Sequence, residues 1–286
     1  MGMRNGIIEL AFELKQRGIF KNFESVLDFG SQEIRISYEE LENLFLKIGK
    51  SKSILKKYEI LKKFPKGKRI SSKKLWKDLD FKKTFSFDIN KQHNSINFDL
   101  NHPFTDKNYF NSFDLVTDFG NNEHVFNLSE AYKTMYKVCK KDGLIWCFQS
   151  VFRGNGFYNF DQSFFETFAA YNNLSILYSA YVVNIGQYDQ YLIPCNKELL
   201  NSINLFNVKS IYITYVFRKL SNENVKNIYQ YGLDNTKQSF TTKFIQREAL
   251  SEKFYIPSNS ITSYKKLAKK GNKNAIFWLR QLGIKF

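Results

Sequence analysis

Cysteine is scarce in this sequence. Its three cysteines, Cys139, Cys147 and Cys195, are odd in number and none stands in a Cys-x-x-Cys spacing. That pattern argues against a disulfide framework or a zinc site, and the three read as small buried hydrophobes. Histidines, cysteines and carboxylates nowhere share a metal-ligand spacing, so no metal is expected. No run approaches the roughly 18 apolar residues that a membrane span needs. Met1 to Phe20 carries Glu9, Glu13, Lys15 and Arg17 where a signal peptide would be continuously apolar, so a cytoplasmic location is expected.

Acidic residues are also in deficit, 27 against 43 Lys and Arg, giving a net charge of +16. Basic side chains neutralise phosphates, which invites a nucleic-acid partner. Against it, Lys, Asn, Ile, Phe and Tyr are abundant together, as an AT-rich coding sequence produces without selection for a partner. Pairs such as Lys62-Lys63 and Lys82-Lys83 suit solvated faces, and charge alone does not define a fold. What is plentiful is aromatic: 29 Phe and 17 Tyr within a 43% hydrophobic composition supply a large core.

Ile7, Leu10, Ala11 and Leu14 recur at helical spacing. Ser25 to Gly30 is a short apolar run ending in Asp28 and a glycine, which reads as a buried strand and turn. Ser37-x-x-Glu40 is a capping box ahead of Leu41, Leu44, Phe45 and Ile48. Residues 49–83 are lysine-rich and helical or irregular. Thr84 to Asp88, Ile96 to Asp99 and Phe113 to Asp118 read as further strands. Asn127-x-x-Glu130 is expected to cap a helix that ends at Asp142-Gly143, before a strand from Leu144 to Phe148. Ser163 to Tyr171 reads as helix, and Leu174 to Val183, Tyr191 to Cys195 and Ile211 to Phe217 as strands. Strands alternating with helices imply βαβ units, and the later strands an antiparallel edge. Residues 1–220 are therefore read as a Rossmann-like α/β domain. Residues 221–286 are read as a basic helical C-terminal appendage that docks through Phe277, Trp278 and Leu282.

In open α/β sheets, ligands lie beyond the carboxyl ends of the strands, near the point where strand order reverses. Asp28-Phe29-Gly30-Ser31 would place a carboxylate and a tight turn there. Asp88 would accept from both hydroxyls of a ribose, Asp99 would meet an adenine edge, and the loop from Phe119 to Val125 would cross the ligand.

The segment Phe113-Asp114-Leu115-Val116-Thr117-Asp118-Phe119-Gly120-Asn121-Asn122-Glu123-His124-Val125-Phe126 resembles the fourth-strand region of class I S-adenosylmethionine-dependent methyltransferases. More narrowly, it is similar to a bacterial small-molecule branch with a Phe-Gly-x-x-Glu-His-Val loop. Gly156-Phe157-Tyr158-Asn159-Phe160 resembles a segment of the same branch on the substrate side. The likeness spans about Ser25 to Val183. It implies a mostly parallel seven-stranded sheet with one antiparallel strand, and S-adenosylmethionine as cofactor. Asp28, Gly30 and Ser31 would then form the methionine-side turn, Asp88 the ribose acid and Asp99 the adenine-side acid. Asp118 and Phe119 would flank the sulfonium. Asn155, Phe157 and Tyr158 would face the substrate. The sequence departs from the family in keeping one glycine of the first-strand motif, in Asn121-Asn122 for a hydroxyl pair, and in Asn155 for a histidine.

Methyl transfer is an in-line displacement, so the protein chiefly aligns the nucleophile and excludes water. A hydroxyl nucleophile also needs a base, for which His124 is the candidate, with Glu123 orienting it. The expected function is O-methylation of a small metabolite or saccharide precursor. The alternatives are nucleic-acid methylation using the basic tail, for which no Asn-Pro-Pro-Tyr-type motif is present, and a catalytically degenerate binding module. A nicotinamide enzyme lacks its Gly-x-Gly-x-x-Gly.

Overall fold

The short runs that end in acids become the centre of one sheet. A computed structural model describes residues 2–66, 69–184, 190–201, 203, 205, 208–228, 245–248, 258–281 and 283–286. The chain begins with β1 (Gly2–Arg4), α1 (Asn5–Gln16), β2 (Ser25–Phe29), β3 (Glu33–Arg35) and α2 (Tyr38–Lys47). A 3₁₀ segment, Lys52–Lys63, leads to β4 (Ile70–Ser71), α3 (Ser72–Asp78), β5 (Lys83–Phe87) and β6 (Phe113–Phe119). Then come α4 (Leu128–Val138), β7 (Cys139–Phe152), α5 (Gln162–Tyr171), β8 (Leu174–Asn184), β9 (Gln190–Pro194) and α6 (Lys197–Asn201). The last elements are β10 (Ser210–Lys219), β11 (Gln246–Arg247), α7 (Ser258–Lys269) and α8 (Lys273–Gln281).

The main sheet has the order β11-β8-β10-β7-β6-β2-β5, with β9 also paired to β8. Strands β5, β2, β6 and β7 are parallel to one another, whereas β10 is antiparallel to both β7 and β8. The fold is thus a mixed α/β sheet. Among the described residues it has eight strands where seven were expected, and its antiparallel β10 lies inside the sheet instead of at an edge. Strand β10 pairs along both edges, and Ile211, Ile213, Thr214, Tyr215, Val216 and Phe217 are all buried, as a strand also covered on both faces requires. Short β9 and β11 divide the outer side of β8 between them.

The expected third strand, Ile96 to Asp99, is a correction. Only one bridge forms, Phe87 to Ile96. Beyond it Asp99 accepts from the backbone N–H of Asn101 at 2.9 Å, an Asx-turn that diverts the chain. Phe98 instead packs 5.3 Å from the ring of Phe87 and 4.9 Å from that of Phe104. A three-stranded sheet, β1-β3-β4, is built beside the main one, so the turn after β2 enters a strand and the helix comes later.

Helices cover both faces. Side chains from α1, α2, the 3₁₀ segment and α3 form one core with Val26, Leu115 and Trp146. Those of α4, α5, α7 and α8 form the other with Leu27, Val116 and Ile145. The capping box of α2 is present with both reciprocal bonds. Asn127 caps α4 without a side-chain cap bond, because its Nδ2 donates to Asn101 O at 3.1 Å. In the tail, Tyr264 Oη donates to Leu192 O at 3.0 Å, and Trp278 is buried while Phe277 is exposed. Leu282 lies outside the described residues. Cys139 and Cys147 are buried and Cys195 partly so, all three as free thiols. Among the described residues, no helix is long and apolar enough to cross a membrane.

The end of α4 is closed by a buried cation. Lys219, 1% exposed, donates from Nζ to Tyr136 O and Cys139 O, each at 2.8 Å, and to Asn111 Oδ1 at 2.9 Å. These are acceptors that a helix C-terminus leaves open. Replacing the ammonium in Lys219→Met strands the two buried carbonyls, Tyr136 O and Cys139 O. Urea denaturation should show a loss of about 2 kcal/mol, and an unchanged midpoint would refute this role.

Candidate functional site

Strand β2 lies between β5 and β6, so the chain leaves it first to one side and later to the other, which opens a crevice at the carboxyl ends. A cleft of about 620 Å³ lies there, lined by Gly30, Ser31, Gln32, Asp88, Ile89, Phe98, Asp99, Leu100, Asn121 and His124, among others. Gly30 forms its floor. Its φ of +84° favours glycine, and a Cβ would stand 2.8 Å from Asn121 Oδ1. Its N–H donates to Phe87 O at 2.8 Å, which ties the turn to β5.

Asp88, just past β5, is partly buried. Burial would raise its pKa, but hydrogen bonds from the Ser31 hydroxyl and from the N–H groups of Asn90 and Ser31 outweigh it and hold the carboxyl below its ordinary value. Ser31 N lies 2.7 Å from Oδ2 and Asn90 N 3.0 Å from Oδ1. Asp99 is likewise held low, by the N–H and side-chain amide of Asn101. Ile89, 68% exposed, and the partly exposed Phe98 give this end apolar surface.

At the opposite wall the loop after β6 is folded by buried acids. Asp118 Oδ1 accepts from the N–H of Asn121 at 2.9 Å and of Asn122 at 3.1 Å, and Oδ2 from the side-chain amide of Gln149. Burial nonetheless raises Asp118 to about 7. Glu123 has no exposed surface. Its Oε2 accepts from Ser150 N at 2.7 Å, while its Oε1 lies 3.6 Å from His124 Nε2. Burial dominates both partners, lifting Glu123 to about 7 and lowering His124 below its ordinary 6.5. The backbone of Phe157 donates to Glu123 O at 2.7 Å. This close approach requires Gly156, whose Cβ would stand 2.5 Å from that oxygen.

The structure brings Gly30, Ser31, Asp88, Asp99 and His124 to one cleft. Glu123 stands behind His124. Asp28 and Phe119 are corrections to the sequence reading, because they point away from the cleft. Asp28 shares the face of Val26 and is fully buried, accepting from Ser72 Oγ at 2.5 Å, Trp76 Nε1 at 3.0 Å and Thr117 Oγ1. Phe119 is packed edge-on against Trp146 at 5.1 Å. Asp118 too has no exposed surface, and it organises the loop from below. Of the residues read as facing a substrate, none of which lines this cleft, Asn155 is exposed and Phe157 is 74% exposed. Tyr158 Oη donates to Phe126 O at 2.8 Å. Sequence reasoning missed Gln32, Ile89 and Asn101, and named Asn121 only within the loop expected to cross the ligand; Gln32 and Ile89 follow read motifs by one or two positions, and that adjacency was the available signal.

No family model matches the chain, and no curated protein matches it. Among solved structures, the chain is similar to the O-methyltransferase of a trans-AT polyketide synthase multienzyme of Brevibacillus brevis, in complex with S-adenosyl-L-homocysteine. The identity is 12% and the TM-score 0.35, with 74% of this chain and 72% of that one covered. It is also similar to a Burkholderia thailandensis 1,6-didemethyltoxoflavin-N1-methyltransferase bound to 1,6-didemethyltoxoflavin and S-adenosylhomocysteine. There the identity is 12% and the TM-score 0.36, over 74% and 80% of the two chains. A third is an S-adenosylmethionine-dependent methyltransferase of Clostridium acetobutylicum, at 10% identity and TM-score 0.31, over 74% and 92%.

Burial raises the Asp28 carboxyl to about 6 from an ordinary 3.8, against the lowering effect of its three donors. A folded-state pKa above the unfolded one gives stability that is present below pH 3.8 and is lost as pH rises through about 6. The stability difference between wild type and Asp28→Asn should therefore shift toward the variant between those values. A difference independent of pH in parallel thermal melts would show that the group does not titrate in this window.

Proposed function

We propose that this protein is an S-adenosylmethionine-dependent methyltransferase acting on a hydroxyl of a small metabolite or saccharide precursor. The observation that carries the reading is the cleft at the strand-order reversal, with Asp88 and apolar Ile89 and Phe98 at one wall and His124 at the other. The residues fit the cofactor. The Asp88 carboxylate suits a vicinal diol once Ser31 yields its bond, Ile89 and Phe98 suit a flat base, and Asp99 with Asn101 offers a polar edge to that base.

S-Adenosylmethionine supplies a methyl group already activated for displacement. The chain's own work is to align an acceptor and take its proton. Burial keeps His124 neutral at pH 7, the form a base needs. Glu123 Oε1, 3.6 Å from its Nε2, faces the ring and, when ionised, offsets the positive charge that develops on it. The exposed Phe157 and the Tyr158 segment, bonded to Glu123 O and Phe126 O, form the acceptor side together with Asn155.

A second reading is a binding module without turnover. It draws on Ser31, whose hydroxyl and N–H already occupy one oxygen of Asp88. Calorimetry with S-adenosylhomocysteine separates the two. The enzyme reading predicts measurable binding that Asp88→Ala weakens about tenfold or more, and absence of binding to wild type contradicts it. With labelled S-adenosylmethionine and a panel of sugars and hydroxylated metabolites, His124→Asn should keep affinity for S-adenosylhomocysteine while transfer falls about a hundredfold or more. Transfer by wild type should decline on the acid side with a midpoint below pH 6.5, since the His124 pKa is lowered. Undiminished transfer by the variant would remove His124 from the mechanism.

A further inference from the structure

Unpaired positive charge is gathered at the end of the chain. Residues 258–286 hold seven Lys and Arg and no Asp or Glu. Within α7, α8 and the turn between them, Lys265, Lys266, Lys269, Lys270, Lys273 and Arg280 are all exposed. Among the described residues none of these cations has a carboxylate partner. The other lysine-rich stretch differs, since Lys50 pairs with Asp80, Lys52 with Glu42, Lys57 with Asp78 and Lys62 with Glu59. An AT-rich coding sequence accounts for the number of lysines, not for a surface without acids.

Packing turns these cations outward. Tyr264 and Ala268 of α7, with Ala275, Trp278 and Leu279 of α8, are buried in the core that α4 and α5 share. At about 3.6 residues per turn, Lys265, Lys266, Lys269 and Lys270 then occupy the opposite arc of α7. Lys273, Phe277 and Arg280 share the opposite arc of α8. Phe277 is 39% exposed, yet its ring packs edge-on against buried Trp278, with centroids 5.2 Å apart. An aromatic face is thus held in place at the surface, with one cation a turn before it and another a turn after.

Lysines along one helix arc match a chain of phosphates, and a fixed aromatic face among them matches an unpaired base. A lipid surface fits less well. A basic helix that binds lipid inserts its apolar face, and here those faces are already buried in the core. An acidic protein would answer the charge and leave the ring without a flat partner. We propose that the outward face of α7 and α8 binds single-stranded nucleic acid, with phosphates on the lysines and a base on Phe277. None of these residues lines the cleft. The surface is therefore independent of the cofactor reading, and the nucleic acid is a docking partner, not the methyl acceptor.

Fluorescence anisotropy of a labelled single-stranded oligothymidylate with the full chain, over a series of salt concentrations, tests it. Wild type should bind, with log affinity falling linearly in log salt. The double variant Lys265→Gln, Lys269→Gln should flatten that slope by roughly 0.7 per lysine removed. Phe277→Leu keeps an apolar contact for Trp278 without a stacking face and should weaken binding about fivefold or more, whereas Phe277→Tyr should not. A control pair, Lys56→Gln and Lys63→Gln, removes the same charge from exposed positions of the 3₁₀ segment and should leave the slope unchanged. Absence of binding by wild type, an equal effect of the control pair, or unaltered binding by Phe277→Leu overturns the proposal. So does displacement by polyglutamate or phosphatidylserine vesicles as effective as that by unlabelled oligothymidylate.

Discussion

At the end of β6 a carboxylate without solvent access holds the loop on which the site depends. Asp118 gathers the N–H groups of Asn121 and Asn122 and the amide of Gln149, and so turns the chain before it can continue outward. Everything at the inner wall follows from that turn. Asn121 is brought over Gly30, Glu123 is set against Ser150 N, and His124 is left as the residue that reaches the cleft. Burial raises the carboxyls of Asp118 and Glu123 to about 7. An acid in such surroundings is tolerated only where donors converge on it.

A second buried acid does the matching work on the other face. Asp28 joins β2 to Thr117 of β6 and to Ser72 and Trp76 of α3, and so fixes the helix that precedes β5. Between the two acids, the strand ends that bear Gly30, Asp88 and Asn121 have little freedom. The cleft is shaped by inward-facing groups, and Ser31, Gln32, Ile89 and His124 line it beside them.

Much of this frame was legible in the sequence because the relevant signals are local. An apolar run ending in an acid and glycine located β2, the Ser37 and Glu40 capping box located α2, and β5 and β6 stood out by composition. What was not legible depends on distant partners. Asp28 reads as a ligand acid from its neighbours, whereas its role is set by residues 44 to 89 positions away. The strand expected at Ile96 to Asp99 yields to the Asp99–Asn101 turn and a cluster of phenylalanines. Asn127 gives up its cap to hold that turn. The internal place of β10 follows from pairings on both sides, which no local pattern encodes.

The crevice between β2, β5 and β6 is the proposed cofactor site. Hydrogen exchange read by mass spectrometry, with and without saturating S-adenosylhomocysteine, tests it most directly. Slowed exchange across residues 30–32, 88–101 and 121–125, with α7 unaffected, is the result predicted. Unchanged exchange in those three segments, or protection confined to other parts of the chain, would contradict it.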